Sequence, residues 1–371
     1  MTQSDPVRVG LIGAGGRWGP RAHVPALQGL PETALFAVCT AHAETAQAAA
    51  QKFAVECAYG SDKALNADKR VEAVAVAVRV PAHFELSKNA IEAGKHVFCE
   101  WPLGANTQEA EQLAALARQK NVRTIVGLQR RASPAYLYMC ELVRQGYVGQ
   151  VVAVNMLLMN SGVLTRTSDR TWQRDATLGA NPLTITFAHV FDAMCMVVGE
   201  LAELSAVVST QVRQWLEIDT NKYVDVTSPD NILVQGRLEN GAVVNAYCGV
   251  QPYHGSGHRL EIYGKEGTLA MIGGGEGGEE RRRRVMGGQK NDKALEELPI
   301  PERFTWVPQA VREGGASYDV GQMWVKFAAA IRTGSNSDAD FPDFDHAVRR
   351  HKTLDAIVLA SQTGQRQKIV F

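Results

Sequence analysis

A glycine-rich turn directly after a short apolar run is the feature that most constrains the fold. Residues 7–12 read Val-Arg-Val-Gly-Leu-Ile, and residues 13–19 read Gly-Ala-Gly-Gly-Arg-Trp-Gly. A buried strand that passes through such a turn into a helix is the usual setting in which main-chain N–H groups approach a pyrophosphate. Gly19 comes one residue later than the last glycine of the common pattern. We therefore predict a dinucleotide-binding turn, the alternative being a tight turn that binds no ligand.

The pattern of the first 130 residues is a repeated strand and helix. Further apolar runs of strand length lie at 34–39, 71–78, 96–99 and 124–128. Between them, Pro81 and Gly94 mark the start and end of one helix, and Asn106 with Glu109 marks the N-terminus of another. Repeated βα units predict a doubly wound parallel sheet. We therefore expect an α/β dinucleotide-binding (Rossmann) domain over residues 1–130.

Beyond residue 130 the pattern changes to β-hairpins. Asn240-Gly241 joins two β-rich runs, and Gly264 to Gly267 joins two more. These pairs predict an α+β domain over residues 131–371, built on a large, mainly antiparallel open sheet, with the last helix packing back on the N-terminal domain. The stretch 273–293, rich in glycine and arginine, has no apolar periodicity and is predicted to be a solvated loop.

Composition and charge exclude several classes of partner. Lys+Arg and Asp+Glu each number 39, so no overall field would steer the chain to nucleic acid or to an anionic membrane. The six cysteines contain no Cys-x-x-Cys pair, which favours buried thiols over metal ligands. The first residues lack the pattern of a signal peptide. We expect a cytoplasmic protein that binds a small molecule, with no metal, nucleic acid or membrane partner.

The residues after the second strand bear on the choice of nicotinamide cofactor. An NAD-specific site usually has a carboxylate there to bind the ribose hydroxyls, and this chain has Cys39-Thr40-Ala41-His42 instead. Thr40 and His42 are both able to donate hydrogen bonds to a 2′-phosphate, and Arg17 or Arg21 adds positive charge. We therefore favour NADP over NAD. The alternative is that Thr40 only caps the following helix, which is compatible with either cofactor.

Several motifs taken together resemble the glucose–fructose oxidoreductase / inositol dehydrogenase (Gfo/Idh/MocA) family. They are Gly10 to Gly15, His23-x-Pro25-Ala26-Leu27, Ala93 to Val97 leading to Glu100-x-Pro102, Gly127 to Arg131, Gln145 to Gly149, and His189 with Asp192. The resemblance is strongest to the branch that contains the fungal galactose-pathway repressor and its bacterial oxidoreductase-like relatives. It implies that the open sheet of the second domain makes the subunit interface of a homodimer or homotetramer.

The resemblance also implies a set of site residues, two of which are altered in this chain. Trp101 stands where the family has its catalytic lysine, and Ile185 stands where it has an aspartate, so His189 remains as the catalytic candidate. The alternative for His189 is a histidine held by packing against Phe187 and Phe191. The expected cofactor-binding residues are Gly13, Gly15, Gly16, Arg17, Trp18, Thr40, His42, Pro81, His83, Glu100, Trp101 and Gln129. The expected substrate residues are Arg130, Trp172, Arg174, Asp175 and His254.

Three functions are compatible with these residues. The first is an NAD(P)-dependent oxidoreductase that acts on a sugar, polyol or related hydroxy compound, with His189 exchanging the hydroxyl proton. The second is a dinucleotide-binding regulatory protein without turnover, like the galactose-pathway repressor that the branch includes. The third is hydrolysis or elimination assisted by a dinucleotide that is recycled in the site.

Overall fold

The structure is a computed structural model, and it describes residues 5–273, 283–335 and 341–371. The strands in this part of the chain are β1 (Val7–Ile12), β2 (Thr33–Cys39), β3 (Cys57–Tyr59), β4 (Ala73–Val76), β5 (His96–Glu100), β6 (Thr124–Gly127), β7 (Val151–Ser161), β8 (Thr165–Arg166), β9 (Leu201–Ser209), β10 (Gln214–Glu217), β11 (Lys222–Asp225), β12 (Asn231–Leu238), β13 (Val243–Gln251), β14 (Gly257–Gly264), β15 (Gly267–Ile272), β16 (Arg284–Gln289), β17 (Glu296–Leu298) and β18 (Gln367–Lys368). The helices are α1 (Val24–Gly29), α2 (Ala43–Phe53), α3 (Asp62–Ala67), α4 (His83–Glu92), α5 (Thr107–Lys120), α6 (Pro134–Arg144), α7 (Ala188–Val198), α8 (Gln309–Glu313), α9 (Ala316–Thr333) and α10 (Phe344–Thr363).

The chain folds into two compact units that do not follow chain order. The first unit contains the residues up to Ala132 together with Thr305–Arg349, and the second contains Ser133–Phe304 and Arg350–Phe371. The boundary after Arg349 falls within α10. The division into domains 1–130 and 131–371 stays a prediction, and no motif indicated that 305–349 returns to the first unit.

The first unit is built on a six-stranded parallel sheet in the order β3-β2-β1-β4-β5-β6, which confirms the predicted doubly wound sheet. All four residues of β4 are buried, as expected for a parallel strand covered on both faces. Helix α9 supplies Trp324 and Phe327, both fully buried, to the same core as β1 and α1. This long-range packing ties residues near the end of the chain to the first strand.

Helix ends in the first unit follow the local sequence. Asn106 Oδ1 accepts from the N–H of Glu109 at 2.9 Å, and Glu109 Oε2 accepts from the N–H of Ala105 at 2.8 Å, which confirms the predicted cap of α5. Pro81 lies in a 3₁₀ turn, Val80–Ala82, that leads into α4 at His83. The predicted start at Pro81 is therefore two residues early, because the first turn is wound more tightly than an α-helix.

The second unit is built on a nine-stranded sheet in the order β17-β16-β15-β14-β7-β13-β12-β9-β18. The only parallel pair among its described strands is β13 with β7, so the prediction of a mainly antiparallel sheet is confirmed. A separate three-stranded sheet has the order β11-β10-β8. Both hairpins expected from their turns are present, as β12 with β13 and β14 with β15.

The predicted loop at 273–293 is wrong in part. Arg284–Gln289 forms β16, which pairs with both β15 and β17, while 274–282 lies outside the described residues. Val285 is fully buried, and a Cβ on Gly287 would lie 2.5 Å from Leu298 Cδ1. Glycine therefore allows close strand packing here. From composition alone, the same glycines were interpreted as part of a solvated loop.

One helical stretch of the described chain, Ala176–Val198, has the length and apolar composition of a membrane span. Of its most apolar window, 67% is buried within the fold. Because the core helix of a globular fold passes the same criterion, the stretch is weak evidence for a membrane segment.

Candidate functional site

The glycine turn of the first unit is held between the ends of neighbouring strands. The N–H of Gly13 donates to Cys39 O at 3.1 Å, and the N–H of Gly16 donates to Gly13 O at 2.9 Å. Gly13 has a φ of 105°, and a Cβ built on it would lie 2.3 Å from Ala77 O, a main-chain atom. The position therefore requires glycine on both conformational and steric grounds.

The late glycine of the motif, Gly19, has a packing role that the sequence analysis missed. Gly19–His23 forms a π-helical turn, which accommodates one residue more than an α-helical turn. A Cβ on Gly19 would lie 2.8 Å from Gly13 O. Gly19 thus performs the close helix–strand packing that the third glycine of a dinucleotide fingerprint performs, and the π turn absorbs the extra residue. The one-residue delay was the available signal.

The tip of the turn is open. Gly15, Gly16, Arg17 and Trp18 are all exposed, and the nearest atom to a Cβ on Gly15 would be Thr40 Cγ2 at 3.4 Å. Accessible glycine main chain between β1 and the first helical turn is the cradle that a pyrophosphate needs. The residues present therefore fit a dinucleotide.

Thr40 and His42, at the end of β2, are joined by a local hydroxyl cluster. Thr40 Oγ1 lies 2.9 Å from His42 O and 2.6 Å from Thr45 Oγ1, and Thr45 Oγ1 donates to His42 O at 3.0 Å. Two hydroxyl protons serve three contacts, so the Thr40 proton is engaged within the cluster. The N-cap of α2 is the exposed His42, whose side chain makes no capping bond.

Pro81 and His83 differ sharply in accessibility. Pro81 is exposed, whereas His83 is buried with Nδ1 2.7 Å from Pro102 O and Nε2 3.1 Å from Val78 O. Burial lowers the pKa of His83, although the two carbonyls favour the charged ring. His83 therefore ties the residues after β4 to those after Glu100.

Glu100, the last residue of β5, accepts hydrogen bonds at both carboxylate oxygens. His23 Nε2 lies 2.7 Å from Glu100 Oε1, and Gln129 Nε2 donates to Glu100 Oε2 at 2.6 Å. Glu100 and Gln129 are each 8% exposed, and Trp101 is 4% exposed. The structure thus brings Glu100 and Gln129 together and buries the indole at the position of the family lysine. His23, which joins them, was quoted only as part of a motif.

In the second unit, His189 lies in the first turn of α7 and is half-buried. Ile185 is in the π-helical turn Leu183–Phe187 that leads into α7, and Phe187 stacks on Phe191 with ring centroids 4.9 Å apart. Both of these phenylalanines are fully buried. A half-buried histidine has the accessibility that proton exchange requires.

Asp192, quoted with His189 in the family motif, is fully buried in an ion pair. Arg350 Nε lies 3.1 Å from Asp192 Oδ1, and Arg350 Nη2 lies 2.8 Å from Glu200 Oε1. The side chains of Arg350 and Asp192 have no exposed surface. This carboxylate therefore anchors α10 to α7 and is not a free acid or base.

The expected substrate residues lie on two segments of the second unit. Trp172, Arg174 and Asp175 lie on consecutive 3₁₀ turns; Trp172 is half-buried, and Arg174 Nη1 donates to Asp225 O at 3.0 Å. Asp175 Oδ1 accepts from Thr177 Oγ1 and from the Thr177 N–H, and these bonds lower the pKa of Asp175.

The other two expected substrate residues are His254 and Arg130. His254 is exposed with a φ of 42°, and its ring centroid is 6.5 Å from that of Tyr253. Arg130 belongs to the first unit, where it is half-buried in the 3₁₀ turn Gln129–Ala132. The cysteines are all free thiols, and the described residues contain no group of three or more His, Cys, Asp or Glu side chains placed to bind a metal.

Two family models match two consecutive parts of the chain. The family model described as "Oxidoreductase family, NAD-binding Rossmann fold" matches residues 7–128, and the model "Gal80p, C-terminal domain" matches residues 134–273. The dehydrogenase aclE of Aspergillus oryzae is 30% identical over 341 residues, which cover 89% of this chain and 88% of that protein.

Two further relatives represent a regulator and a dehydrogenase. The galactose/lactose metabolism regulatory protein GAL80 of Kluyveromyces lactis is 28% identical over 265 residues, covering 66% of this chain and 58% of that protein. The solved structure of a levoglucosan dehydrogenase in complex with NADH and L-sorbose has a TM-score of 0.83 at 22% identity, covering 99% of each chain, and so shares the fold. The chain belongs to the Gfo/Idh/MocA oxidoreductase family, with an NAD-binding Rossmann domain followed by a Gal80-like C-terminal domain.

Proposed function

We propose that this protein is an NAD(P)-dependent oxidoreductase that acts on the CH–OH group of a sugar, a polyol or a related hydroxy compound. The observation that carries the proposal is the glycine turn, in which Gly13 and Gly19 hold the loop closed while Gly15 and Gly16 leave main chain exposed. The relationship to the dehydrogenase aclE over 89% of the chain supports the same reaction class.

Within this proposal the residues of the first unit bind and orient the cofactor. The nicotinamide ring supplies hydride transfer when the cofactor is bound. Gly15 and Gly16 offer main-chain donors to its phosphates, and Trp18 and Arg17 border the same exposed loop. The edge of the proposed cofactor site beyond the end of β5 is formed by Glu100, Trp101 and Gln129. The buried indole there excludes water and takes no part in proton exchange. Pro81 and His83 complete this edge beyond β4.

We propose that NADP is preferred over NAD. Residues 40–42, directly after β2, include no carboxylate to repel a 2′-phosphate. The proton of Thr40 is engaged with Thr45 and His42 O, so the proposed donors are the exposed His42 and Arg17. Placing a carboxylate here by Thr40→Asp should weaken NADP binding about tenfold or more while weakening NAD binding less. Thr40→Val, which removes the hydroxyl and adds no charge, is the matched control. Equal effects of both variants on both cofactors would contradict the preference.

His189 exchanges the substrate hydroxyl proton in this proposal, since imidazole titrates near neutral pH in its unperturbed state. Trp172, Arg174, Asp175, Arg130 and His254 are proposed to bind the substrate, with the Trp172 face suited to a sugar ring. His189→Ala should lower turnover about 100-fold or more while changing the cofactor dissociation constant less than about twofold. Unchanged turnover in a stably folded variant would exclude the assigned role.

A second candidate is a dinucleotide-binding regulator without turnover. Two observations favour it: Trp101 and Ile185 occupy positions of proton-handling groups, and residues 134–273 match the Gal80p C-terminal domain. It predicts cofactor binding without oxidation of any sugar or polyol, and a protein partner whose affinity changes with the cofactor. The third function, hydrolysis or elimination with a recycled dinucleotide, predicts product without net change in nicotinamide absorbance.

One experiment separates these candidates. NAD and NADP are each mixed with a panel of sugars and polyols, and absorbance of the reduced nicotinamide, product formation and cofactor binding are measured on the same protein. Turnover that depends on His189 supports the oxidoreductase. Binding without turnover across the panel supports the regulator, and absence of binding to either dinucleotide contradicts both.

We further propose a homodimer or homotetramer formed through the nine-stranded sheet. Val207 and Val243 are 59% and 48% exposed on the face of this sheet that also presents Asn155 and Asn245. Val243→Glu should yield monomers by light scattering, because burying a carboxylate in the interface is costly. Val370→Glu, at a position 80% exposed outside this face, is the control. A wild-type protein that is monomeric at micromolar concentration would contradict the proposal.

A further inference from the structure

A chain of buried hydrogen bonds in the first unit joins four side chains from four different segments. Trp324 Nε1 donates to His23 Nδ1 at 3.2 Å, and His23 Nε2 lies 2.7 Å from Glu100 Oε1. Gln129 Nε2 reaches the other carboxylate oxygen at 2.6 Å. His23 and Trp324 are completely buried. We call these four residues the Glu100 relay.

The chemistry of the donors fixes the protonation of His23. An indole N–H only donates, so His23 Nδ1 must be the acceptor and carries no proton. The ring proton is then on Nε2, where it is donated to Glu100. The ring is also fixed in position, because His23 packs edge-on against Phe98 at 5.0 Å between centroids and against Trp324 at 6.1 Å. Trp324 thus selects one tautomer of His23, and that tautomer selects one orientation of the Glu100 carboxylate.

The relay connects two parts of the expected cofactor site. His23 is the last residue of the π-helical turn that begins at Gly19, and so it is directly continuous with the glycine turn. Glu100 ends β5 and precedes the buried Trp101. A rigid hydrogen-bonded link therefore runs from the loop suited to phosphates to the edge suited to the nicotinamide.

We propose that His23 and Trp324 are positioning residues for the dinucleotide site, which hold the Glu100–Trp101 edge at a fixed distance from the glycine turn. This inference rests on the proposed binding of a nicotinamide dinucleotide. It assigns to the returning segment 305–349 a function in that binding, because α9 supplies the indole that sets the tautomer. A ligand that spans both parts gains from the link, whereas a ligand that occupies only the glycine turn does not.

The test compares NADPH with the 2′-phosphate of ADP-ribose (hereafter ADP-ribose), which keeps the phosphates of NADPH but has no nicotinamide ring. His23→Leu replaces the imidazole by an apolar side chain of similar bulk that cannot bond Glu100, whereas the amide of His23→Gln can accept from Trp324 and donate to Glu100. Since breaking a hydrogen bond to a buried charged group costs at least a factor of ten, His23→Leu should weaken NADPH binding about tenfold and ADP-ribose binding less than about twofold. His23→Gln should bind NADPH within about twofold of the wild type.

Trp324→Phe provides a second variant in case His23→Leu does not fold. It keeps an aromatic ring in the core and removes the N–H donor, together with part of the indole volume. The tautomer is read from ¹⁵N spectra of histidine-labelled protein, in which wild-type His23 should carry its proton on Nε2. Trp324→Phe should alter this signature and weaken NADPH more than ADP-ribose.

Equal loss of both ligands in these variants would overturn the inference, as would no loss of NADPH affinity or a proton on Nδ1 in the wild type. If the wild-type protein bound ADP-ribose but no nicotinamide dinucleotide, the proposed function would fail. The tautomer measurement, which needs no ligand, distinguishes that case from failure of the relay itself.

Discussion

Alanine substitutions at Gly13 and Gly15 should have opposite effects on stability, although both glycines belong to the same motif. An L-residue at the φ of Gly13, 105°, is strained, and its Cβ would lie 2.3 Å from Ala77 O. Ala77 cannot move away freely, because its N–H is bonded to Ile12 O at 3.0 Å. The left-handed backbone costs about 1–2 kcal/mol and relief of the clash adds a comparable amount, so Gly13→Ala should destabilise the protein by about 3 kcal/mol.

Neither the backbone strain nor the steric clash applies to Gly15→Ala. The φ of Gly15 lies outside the left-handed region, and the closest atom to its Cβ is a methyl carbon of Thr40 at 3.4 Å. Reduced freedom of the unfolded chain should make this variant as stable as the wild type or more stable by about 0.4–1 kcal/mol. Its added methyl group lies on the exposed main chain that the phosphates approach, so cofactor binding should weaken about tenfold.

The assay separates stability from binding. Urea unfolding of the cofactor-free protein, followed by circular dichroism, gives the stability of each variant without the contribution of bound ligand. Calorimetric titration with NADP and NAD then gives affinity. A Gly13→Ala variant as stable as Gly15→Ala would refute the steric reasoning, and a Gly15→Ala variant with wild-type affinity would refute the placement of the phosphates at this loop.

Three further predictions concern a buried histidine, the buried ion pair and the altered family motif. Burial lowers the pKa of His351 to about 4, so between pH 6.5 and 4 only the unfolded chain binds the extra proton, and stability falls as the pH falls. In urea titrations, the free energy of unfolding of His351→Leu should fall by about 3 kcal/mol less than that of the wild type between pH 7 and 4. Equal losses would contradict this. Arg350→Met leaves the Asp192 carboxylate buried without its cation and should lower the free energy of unfolding by about 3–5 kcal/mol. Adding Asp192→Leu should restore much of that loss. A double variant no more stable than the single one would count against the pairing. Trp101→Lys should increase turnover of the active substrate and give its pH profile a new dependence on an amine; if turnover falls with cofactor affinity intact, the indole is needed for the site's shape.

The sequence predicts the sheets well where burial is local to a strand. Val71 to Val78 is nearly continuous apolar sequence, and its centre forms β4 with every residue buried. Asn240-Gly241 fixes the turn between β12 and β13 because few residues adopt the required backbone conformation. Elements that depend on distant partners are not predictable in this way. Residues 305–349 carry no motif that indicates their return to the first unit.

In the candidate site, too, residues that depend on nearby sequence are easier to predict than residues that depend on distant partners. The glycine turn is predictable because its glycines lie within seven residues of sequence, although the close approach of Gly13 to Ala77 O and the packing role of Gly19 are seen only in the structure. The roles of His23 and Asp192 depend on Trp324 and Arg350, which lie 301 and 158 residues away in the chain. A motif points to such residues but does not say whether they contact a ligand or hold another element in place.

In the proposed function, cofactor binding and proton transfer are assigned to different residues. The proposed binding residues of the glycine turn and the Glu100 relay lie in the first unit, whereas the remaining proton-handling candidate, His189, lies in the second. A single positioned acid or base contributes about 10²–10⁴ in rate, so the absence of the family's lysine and aspartate at positions 101 and 185 would remove much of the rate while the glycine turn still binds the cofactor. A slow enzyme that depends on His189 and a regulator with no turnover would therefore both bind the cofactor. For this reason cofactor affinity cannot distinguish the two functions, and the decisive measurement is turnover in wild-type and His189→Ala protein at saturating cofactor.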